Sequence, residues 1–455
     1  MMPAERTTLD APSGPDVADL AERFRGRRAT LGIIGLGYVG LPLALTAVRA
    51  GFRVLGFDIN AATVARLNRG ESTIRHIPAE AVAAAVAAEA LAATADFHRL
   101  DEPDALLICV PTPLTKHREP DLSYVVQTAR AIAARLRPGQ LVVLESTSYP
   151  GTTTEVLKPI LESAGLHSGR DFFLAFSPER EDPGNPDFAT AAIPKVVGGD
   201  GAAARALAEA LYGALVVATV PVSSPAAAEA VKLTENIFRA VNIALVNELK
   251  VVYAAMGIDV WEVIEAAKTK PFGFMPFYPG PGLGGHCIPV DPFYLTWKAR
   301  EYDITTRFIE LAGQVNAHMP YYVVERLAEA VDRSGRPLTG ARILVLGVAY
   351  KKNVDDLRES PALKLIELIE ARGAEVAYHD PHIPQLPQTR QHGELAGLRS
   401  IALTPETISA HDAVLIATDH DGVDYRLIAD HARLVVDTRN VFAKAGIVSD
   451  RVVKV

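Results

Sequence analysis

A chain of 455 residues is too long for one hydrophobic core, and its apolar content of 49% is ample for two or three domains. The net charge of -8 comes without a long basic block, which argues against nucleic acid or an anionic membrane as the main partner. Two cysteines in unlike surroundings argue against a structural disulfide, and the N-terminus lacks the apolar core of a signal peptide. We therefore expect a cytoplasmic protein.

A dinucleotide-binding turn is the first element that the sequence predicts. A strand over 31–34, the glycine pattern GLGYVG at 35–40, a helix over 41–50 and a strand over 52–57 follow in the required order. The glycines permit a tight turn and a close approach of the backbone to a pyrophosphate at the helix N-terminus. The acid after the second strand would bind a ribose 2′-hydroxyl and repel a 2′-phosphate, which favours NAD over NADP. The predicted cofactor contacts in this segment are Gly35, Gly37, Tyr38, Val39, Gly40 and Asp58.

Polar side chains follow three further strands of the same predicted sheet. These strands are predicted over 104–110, 141–144 and 172–176. Thr112, Ser148 and Glu179 come after them, at the carboxyl ends where open parallel sheets bind ligands. Each residue alone would read as a turn former or a solvated acid, but three in one sheet favour a site.

A long helix is predicted between the two halves of the chain. Apolar residues recur at helical spacing over 225–256, and Gly257 is a natural stop, so the helix has about 30 residues. We expect it to join two domains and to contribute to a homodimer or a larger homo-oligomer. Lys232 and Asn236 share one face of it, and the alternative interpretation is a surface pair.

Cys287 lies in the stretch GLGGHCIPVDP at 282–292. Glycines and a histidine precede it, and Asp291 follows four residues later, a setting typical of an accessible nucleophile. Cys109, in the apolar run ALLICVP, is instead interpreted as a buried strand residue.

The C-terminal third repeats the alternation of strands and helices. Its elements are predicted as strands over 341–347, 374–380, 412–418 and 434–437 and a helix over 360–371. The glycine triplet is missing, and Lys351, Lys352 and Arg358 stand in its place. A basic turn favours a second phosphorylated ligand, with a solvated charged loop as the alternative.

The predicted fold is α/β, with two Rossmann-like doubly wound domains joined by the long central helix. The expected division is an N-terminal extension over 1–26, an NAD-binding domain over 27–222, a central domain over 223–325 and a second Rossmann-like domain over 326–455. No metal site is predicted.

Seven motifs resemble, in this order, those of the UDP-glucose/GDP-mannose dehydrogenase family, and they cover essentially everything after Arg27. They are GLGYVGLPLA, CVPTP, ESTSYPGTT, SPERED, KLTEN, GPGLGGHCIPVDPFYL and GVAYKKNVDDLRES. The resemblance implies that the C-terminal domain binds the UDP part of a nucleotide sugar, whose C6 alcohol is oxidised to a carboxylate at the expense of two NAD. Two hydride transfers at one site need a trap for the aldehyde, and Cys287 would provide it as a thiohemiacetal and then a thioester.

The resemblance also implies roles for the surrounding residues. Lys232 would hold a cation near the C6 oxygen, with Asn236 donating to the same oxygen. Asp291 would act as or position the general base, and Glu179 would assist thioester hydrolysis. Ser148 stands where UDP-glucose enzymes of the family usually have threonine, so the hydroxyl and its catalytic role are kept.

Further ligand contacts are carried over from the same resemblance. Lys351 resembles a UDP-contacting lysine, Arg358 an arginine that reaches NAD, and Arg439 another arginine of the site. Phe277, Tyr278 and Gly285 are expected near the nucleotide sugar. One departure is Thr63, which stands where many members carry a basic residue and which weakens one contact on the adenosine side without disturbing Asp58.

The sugar is less tightly defined by the sequence. PERED and CIPVD replace the PEF plus acid and the CxxKD of UDP-glucose enzymes, and they resemble the branch that acts on UDP-N-acetylhexosamines. UDP-N-acetylglucosamine is the expected substrate. The alternatives are the same reaction on UDP-N-acetylmannosamine, UDP-glucose or GDP-mannose, and a non-catalytic protein that binds NAD or a nucleotide sugar. An intact nucleophile argues against the last.

Overall fold

A computed structural model of the chain describes residues 15–74, 77–115, 117–180, 190–285, 287–389 and 391–455. The first 14 residues of the expected N-terminal extension lie outside these ranges. The chain divides into two compact units, and the division falls after Thr234.

The first unit is built on a sheet of parallel strands. The strands that the structure describes are β1 (Thr30–Ile34), β2 (Arg53–Phe57), β3 (Leu91–Thr94), β4 (Ala105–Ile108), β5 (Leu141–Leu144), β6 (Phe173–Phe176), β7 (Lys195–Gly199) and β8 (Thr219–Val222). Their order is β3-β2-β1-β4-β5-β6-β7-β8, and neighbours are parallel except for the antiparallel pair β6 and β7. The central strands β4, β5 and β6 are buried at every position because helices cover both faces of the sheet.

Helices pack on both faces of this sheet. Those described in the first unit are α1 (Val17–Arg25), α2 (Gly40–Ala50), α3 (Ala61–Asn68), α4 (Ala79–Ala87), α5 (Ser123–Ala133), α6 (Lys158–Glu162) and α7 (Ala202–Gly213). Helix α1 carries no signal that was interpreted as a helix in the sequence. It begins at the cap Asp16 and packs against α7, with Leu20, Ala21 and Phe24 buried in the core of the unit.

The predicted long helix is present as α8 (Pro225–Ala255), which has 31 residues. It ends one residue before the expected position. Gly257 follows with a φ of 73°, a conformation that favours glycine after a helix.

The second unit contains the remaining helices and a second parallel sheet. The described helices are α9 (Val260–Ala267), α10 (Asp291–Ala299), α11 (Arg307–Arg333), α12 (Pro361–Ala371), α13 (Pro405–Ser409), α14 (Tyr425–His431) and α15 (Val441–Lys444). The described strands are β9 (Arg342–Leu346), β10 (Glu375–His379), β11 (Ala413–Ile416), β12 (Val435–Asp437) and β13 (Val452–Lys454), in the order β10-β9-β11-β12-β13. Two parallel sheets with covering helices confirm the predicted α/β fold.

In the parts of the chain that the structure describes, no helix combines the length and the apolar character needed to cross a membrane.

Candidate active site

The glycine pattern forms the tight turn between β1 and α2. Gly35 has a φ of 93°, and a Cβ on it would lie 2.6 Å from the carbonyl oxygen of Cys109. A Cβ on Gly40 would lie 1.8 Å from the carbonyl oxygen of Gly35, so only glycine allows α2 to pack this closely. Around Gly37, in contrast, no described atom lies within 4 Å of the Cβ position. This open space is where the backbone could approach a pyrophosphate.

Asp58 follows β2 and closes the same turn. Its carboxylate accepts hydrogen bonds from the backbone N–H groups of Leu36, at 3.0 Å, and Asn60, at 2.8 Å. The side chain is half-buried, and each oxygen keeps a second lone pair that could accept from a ribose hydroxyl. The open backbone at the turn and this carboxylate together fit NAD.

The two glycines give a paired prediction. Alanine at Gly37 should leave the melting temperature unchanged because its methyl group enters open space, but should weaken NAD binding about tenfold, since the pyrophosphate needs that space. Alanine at Gly40 should destabilise the protein by about 3 kcal/mol, because its methyl group meets backbone. Thermal melting and NAD titration of both variants check this. Equal NAD affinity in Gly37→Ala and the wild type would contradict the assigned position of the pyrophosphate.

The carboxyl ends of β5 and β6 lie next to the glycine turn. A small cavity is lined by Val39 of the turn, Glu145 after β5, and Glu179 after β6, together with Lys195. Thr112, after β4, is buried. The described structure thus brings the glycine pattern and the ends of two of the three predicted strands to one cavity.

A buried triad borders this cavity, and the sequence analysis did not identify it. Glu145 accepts hydrogen bonds from the Nζ of Lys195 and the hydroxyl of Tyr212, each at 2.5 Å. Burial and the neighbouring carboxylate hold the pKa of Tyr212 well above its usual range. Because every member has a partner, the triad fixes the start of β7 beside the end of β5.

Ser148 is fully buried and donates to Glu229 of α8 at 3.3 Å. The same carboxylate accepts from the N–H of Gly151, at 2.6 Å, and from the N–H and hydroxyl of Thr153, at 2.9 and 2.6 Å. Burial raises the pKa of Glu229, and these hydrogen bonds oppose the rise. The predicted hydroxyl is therefore held in place by a glutamate that the sequence analysis missed.

Lys232, one turn further along α8, is buried and contacts Glu179. Its Nζ donates to the Glu179 carbonyl oxygen at 2.6 Å and lies 3.7 Å from the carboxylate. Two residues predicted to share a site are thus adjacent.

In the second unit, Asn236 of α8 and Asp291 of α10 form a buried pair. The Nδ2 of Asn236 donates to the Asp291 carboxylate at 2.5 Å, and the Asn236 side-chain oxygen accepts from Arg239. Both members of the pair are almost fully buried. The amide is therefore oriented at both ends, with its nitrogen towards the acid.

Cys287 lies in the turn that leads into α10. Its thiol is half-buried, and its carbonyl oxygen accepts from the N–H groups of Val290, at 3.1 Å, and Asp291, at 2.8 Å. Asp291 is the first residue of α10, so one helical turn separates the thiol-bearing residue from the acid. His286 and residues 181–182 of the SPERED motif lie outside the described residues.

Gly285 precedes this turn with a φ of 90°, and its N–H donates to the Arg358 carbonyl oxygen at 2.9 Å. A Cβ on it would lie 2.9 Å from the Tyr350 ring, so glycine lets the cysteine loop pack against the segment after β9. Arg358 itself holds Asp356 through its Nε and its Nη2, the latter at 2.7 Å. The arginine predicted to reach NAD thus forms an ion pair within its own loop.

The basic loop after β9, which contains Lys351, is anchored by Asp380 and His420, neither of which was predicted as a site residue. Asp380 accepts from the N–H groups of Val348, at 2.7 Å, and Ala349, at 3.2 Å, and lies 3.1 Å from His420 Nε2. Asp380 follows β10 as Asp58 follows β2. Unlike Asp58, it is buried, and its other carboxylate oxygen accepts from the N–H groups of His382 and Ile383. This carboxylate braces the loop and offers nothing to a ribose.

The remaining predicted substrate contacts lie on the second unit. Phe277 packs edge to face against Phe238, with ring centroids 5.7 Å apart. Tyr278 stacks on Trp261 of α9, and its hydroxyl donates to Glu265 at 2.7 Å.

Arg439 follows β12 in the second unit. Its Nε donates to the Ala417 carbonyl oxygen at 2.8 Å.

Comparison with known proteins matches three successive parts of the chain to one family. The NAD-binding domain of the UDP-glucose/GDP-mannose dehydrogenase family matches residues 29–216, its central domain 226–318 and its UDP-binding domain 344–444.

Individual relatives match over nearly the whole chain. UDP-N-acetyl-D-glucosamine 6-dehydrogenase from Pseudomonas aeruginosa is 36% identical over 85% of this chain and 90% of its own. UDP-N-acetyl-D-mannosamine dehydrogenase from Escherichia coli is 36% identical over 91% of this chain and 99% of its own. The solved structure of UDP-D-ManNAc dehydrogenase from Pyrococcus horikoshii aligns with a TM-score of 0.81 at 34% identity, covering 90% of this chain and 96% of that one. The chain therefore belongs to the UDP-glucose/GDP-mannose dehydrogenase family and is an NAD-dependent UDP-sugar dehydrogenase.

Proposed function

We propose that the protein oxidises the C6 alcohol of UDP-N-acetylglucosamine to the uronic acid in two hydride transfers, with Cys287 as the covalent nucleophile. The observation that carries the mechanism is the position of this half-buried thiol one turn before Asp291, whose carboxylate is paired with Asn236. The relative from Pseudomonas aeruginosa supports the choice of sugar. UDP-N-acetylmannosamine is the second candidate, because the relative from Escherichia coli is as similar in sequence.

Bound NAD supplies the hydride-accepting nicotinamide, and each sugar consumes two molecules of it. Removal of the first hydride from C6 needs a base for the hydroxyl proton, and Asp291 takes it directly or through a water. The Lys232 ammonium, which lies 3.7 Å from the Glu179 carboxylate, stabilises the developing oxyanion, and the Asn236 amide donates to the same oxygen.

The aldehyde is then captured before it can leave. The Cys287 thiolate adds to C6, which forms a C–S bond and places negative charge on the former aldehyde oxygen. Loss of the second hydride from C6 collapses this thiohemiacetal to a thioester. Water, activated with the help of Glu179, attacks the thioester, so the carboxylate is released and the thiol is restored.

The remaining predicted residues take binding roles in the proposal. The backbone of the turn at Gly35, Gly37 and Gly40 holds the pyrophosphate of NAD, with Asp58 on the ribose. Tyr38, Val39, Thr112, Ser148 and Arg358 are the further cofactor contacts. Phe277, Tyr278, Gly285, Lys351 and Arg439 bind the UDP-sugar.

The covalent route predicts a fixed stoichiometry. The purified protein should reduce about two NAD per UDP-sugar consumed, with uronic acid as the only product. Absorbance of NADH combined with chromatography of the sugar nucleotides measures both quantities. One NADH per sugar together with free aldehyde would overturn the proposal.

The choice of sugar is tested by comparing substrates. kcat/KM should be highest for UDP-N-acetylglucosamine in a panel with UDP-N-acetylmannosamine, UDP-N-acetylgalactosamine and UDP-glucose. A higher value for another sugar would leave the mechanism intact and reassign the substrate.

We also propose that a second copy of the chain covers the exposed part of the central region. The second half of α8 exposes Leu245 and Met256, and the start of α11 exposes Phe308 and Leu311, each more than half accessible to solvent. Apolar side chains concentrated on neighbouring stretches are typical of a subunit interface. Sedimentation velocity of the purified protein measures the resulting homo-oligomer.

A further inference from the structure

A buried lysine in α8 is the least explained polar group of the second unit. Lys250 is 4% exposed, and its Nζ has no hydrogen-bond partner among the described residues. The ring of Tyr322 on α11 lies 5.9 Å from this nitrogen. An ammonium buried without a hydrogen bond is costly, because burial removes its hydration and the contact with the Tyr322 ring offsets only part of that loss. The folded protein would be more stable with an apolar residue at this position. The presence of a lysine therefore indicates that it binds a ligand.

The charges around Lys250 make its position more costly still. Burial lowers the pKa of the lysine to about 7, the positive charge of Arg439 acts in the same direction, and Asp437 acts against it. The Arg439 guanidinium lies beneath the loop before the cysteine, where its Nη1 is 2.8 Å from the position a Gly280 Cβ would take. The buried lysine and the half-buried arginine are therefore close enough for their charges to interact.

A second unsatisfied atom belongs to the residue that follows Arg439 in the chain. The side-chain oxygen of Asn440, the residue after Arg439, is buried and accepts no hydrogen bond from any residue that the structure describes. Neighbouring polar groups of the same helices are paired. Asn247 accepts from the Gly280 N–H at 3.0 Å and donates to Asn316 at 2.9 Å. Since buried polar atoms almost always have partners, the orphaned donor and acceptor indicate a missing ligand with both acceptor and donor atoms.

We propose that Lys250 and Arg439 together bind the diphosphate of the UDP-sugar, and that Asn440 accepts a hydrogen bond from a hydroxyl of the same ligand. This inference rests on the proposed function and adds a residue to its substrate site. Arg439 and Asn440 lie within the match to the UDP-binding domain of the family, whereas Lys250 lies within the match to the central domain. A diphosphate supplies acceptor oxygens to both cations and adds negative charge to that of Asp437.

Protonation then couples to substrate binding. In the free enzyme, Lys250 is partly neutral near pH 7, and an anion beside it raises its pKa. UDP binding therefore takes up a proton above pH 7, and affinity falls as the pH rises, by up to about tenfold per pH unit. A neutral residue at this position removes the coupling.

The test uses UDP alone as the probe and the variant Lys250→Met, which keeps an unbranched side chain but removes the ammonium group. Calorimetric titration of the wild type should show a dissociation constant that rises between pH 7 and 8.5, with proton uptake that depends on the ionisation enthalpy of the buffer. The variant should bind UDP about tenfold more weakly at pH 6.5, with no proton uptake at higher pH. Protonation of UDP itself affects both proteins equally, so their difference isolates the lysine.

Lys298→Met is the matched control, because Lys298 is equally buried but is paired with Glu301 at 2.6 Å. It should bind UDP like the wild type at every pH. A thermal melt shows that Lys250→Met is folded. The unfolded chain holds the lysine proton up to about 10.5 and the folded enzyme only to about 7, so the wild type gains stability as the pH rises between these values. The variant lacks this gain and melts at a higher temperature at pH 7.

If Lys250→Met bound UDP with the same affinity and the same proton uptake as the wild type, the inference would be overturned. So would a loss confined to the UDP-uronate product with UDP itself unaffected, because the lysine would then bind the new carboxylate. Failure of the proposed catalytic function can be distinguished from failure of the proposed diphosphate site. If the protein oxidises no UDP-sugar but loses UDP affinity on substitution of Lys250, the diphosphate site stands and the catalytic assignment falls.

Discussion

Replacement of Cys287 by serine is expected to lower the rate of uronic acid formation by about a thousandfold or more. The hydroxyl is almost the same size as the thiol, and the side chain is only half-buried, so the fold should survive. A serine hydroxyl ionises far less readily than a thiol, and its oxygen ester would be slower to form in the absence of an activating base. The covalent steps therefore fail, although the first hydride transfer does not need sulfur.

A single-turnover experiment separates the first hydride transfer from the covalent steps. With enzyme in excess over UDP-N-acetylglucosamine, Cys287→Ser should produce about one NADH per sugar, whereas the wild type produces two. The missing second equivalent locates the defect at the thiohemiacetal. Cys109→Ala is the matched control, because the other thiol of the chain is buried at the end of β4 and has no part in the proposed chemistry. It should retain kcat within a few fold. Normal release of uronic acid by Cys287→Ser would refute the assignment of the nucleophile.

Much of the fold was predictable because its signals are local. The buried strands β4 to β6 are short apolar runs bounded by polar turns, and α8 shows helical periodicity over its whole length. Two of the elements that were not predicted, β8 and α11, show why a local signal can fail. Strand β8 carries Pro221 and two exposed positions, so neither composition nor alternation marks it as a strand. Helix α11 contains Pro320, which usually ends a helix, and the sequence therefore gives no continuous signal across it.

The candidate site was predictable only where a residue belongs to a motif. Cys287 and Asp291 stand four residues apart, and the structure joins them through a backbone hydrogen bond at that same spacing. The residues that position the site through hydrogen bonds could not be predicted from the sequence. Ser148 and Glu229 are 81 residues apart, and a lone glutamate in a helix has the same appearance in sequence as a solvated one. Only the tertiary structure shows that it collects the hydrogen bonds of a whole turn.

The pair of Asn236 and Asp291 leads to the second large expected effect. Replacement of Asp291 by asparagine should lower kcat by a factor of about 10²–10⁴, the range for loss of a general base, with the KM for UDP-N-acetylglucosamine little changed. The shape of the side chain is kept, and its oxygen can still accept from Asn236, as the carboxylate does at 2.5 Å. The negative charge that attracts the hydroxyl proton of the sugar is lost. Steady-state kinetics and a thermal melt measure the two consequences separately.

A second buried aspartate distinguishes a chemical role from a structural one. Asp412 accepts from the Arg342 N–H at 2.9 Å and from Arg336 at 3.0 Å, far from the cysteine in sequence and without a place in the proposed reaction. Asp412→Asn should therefore lower the melting temperature, because it weakens the backbone hydrogen bond and the ion pairs with Arg336 and Arg433, and leave kcat within a few fold. Asp291→Asn should do the reverse. If both variants lost stability and activity in parallel, Asp291 would be a brace between α8 and α10, and the proton from C6 would need another acceptor.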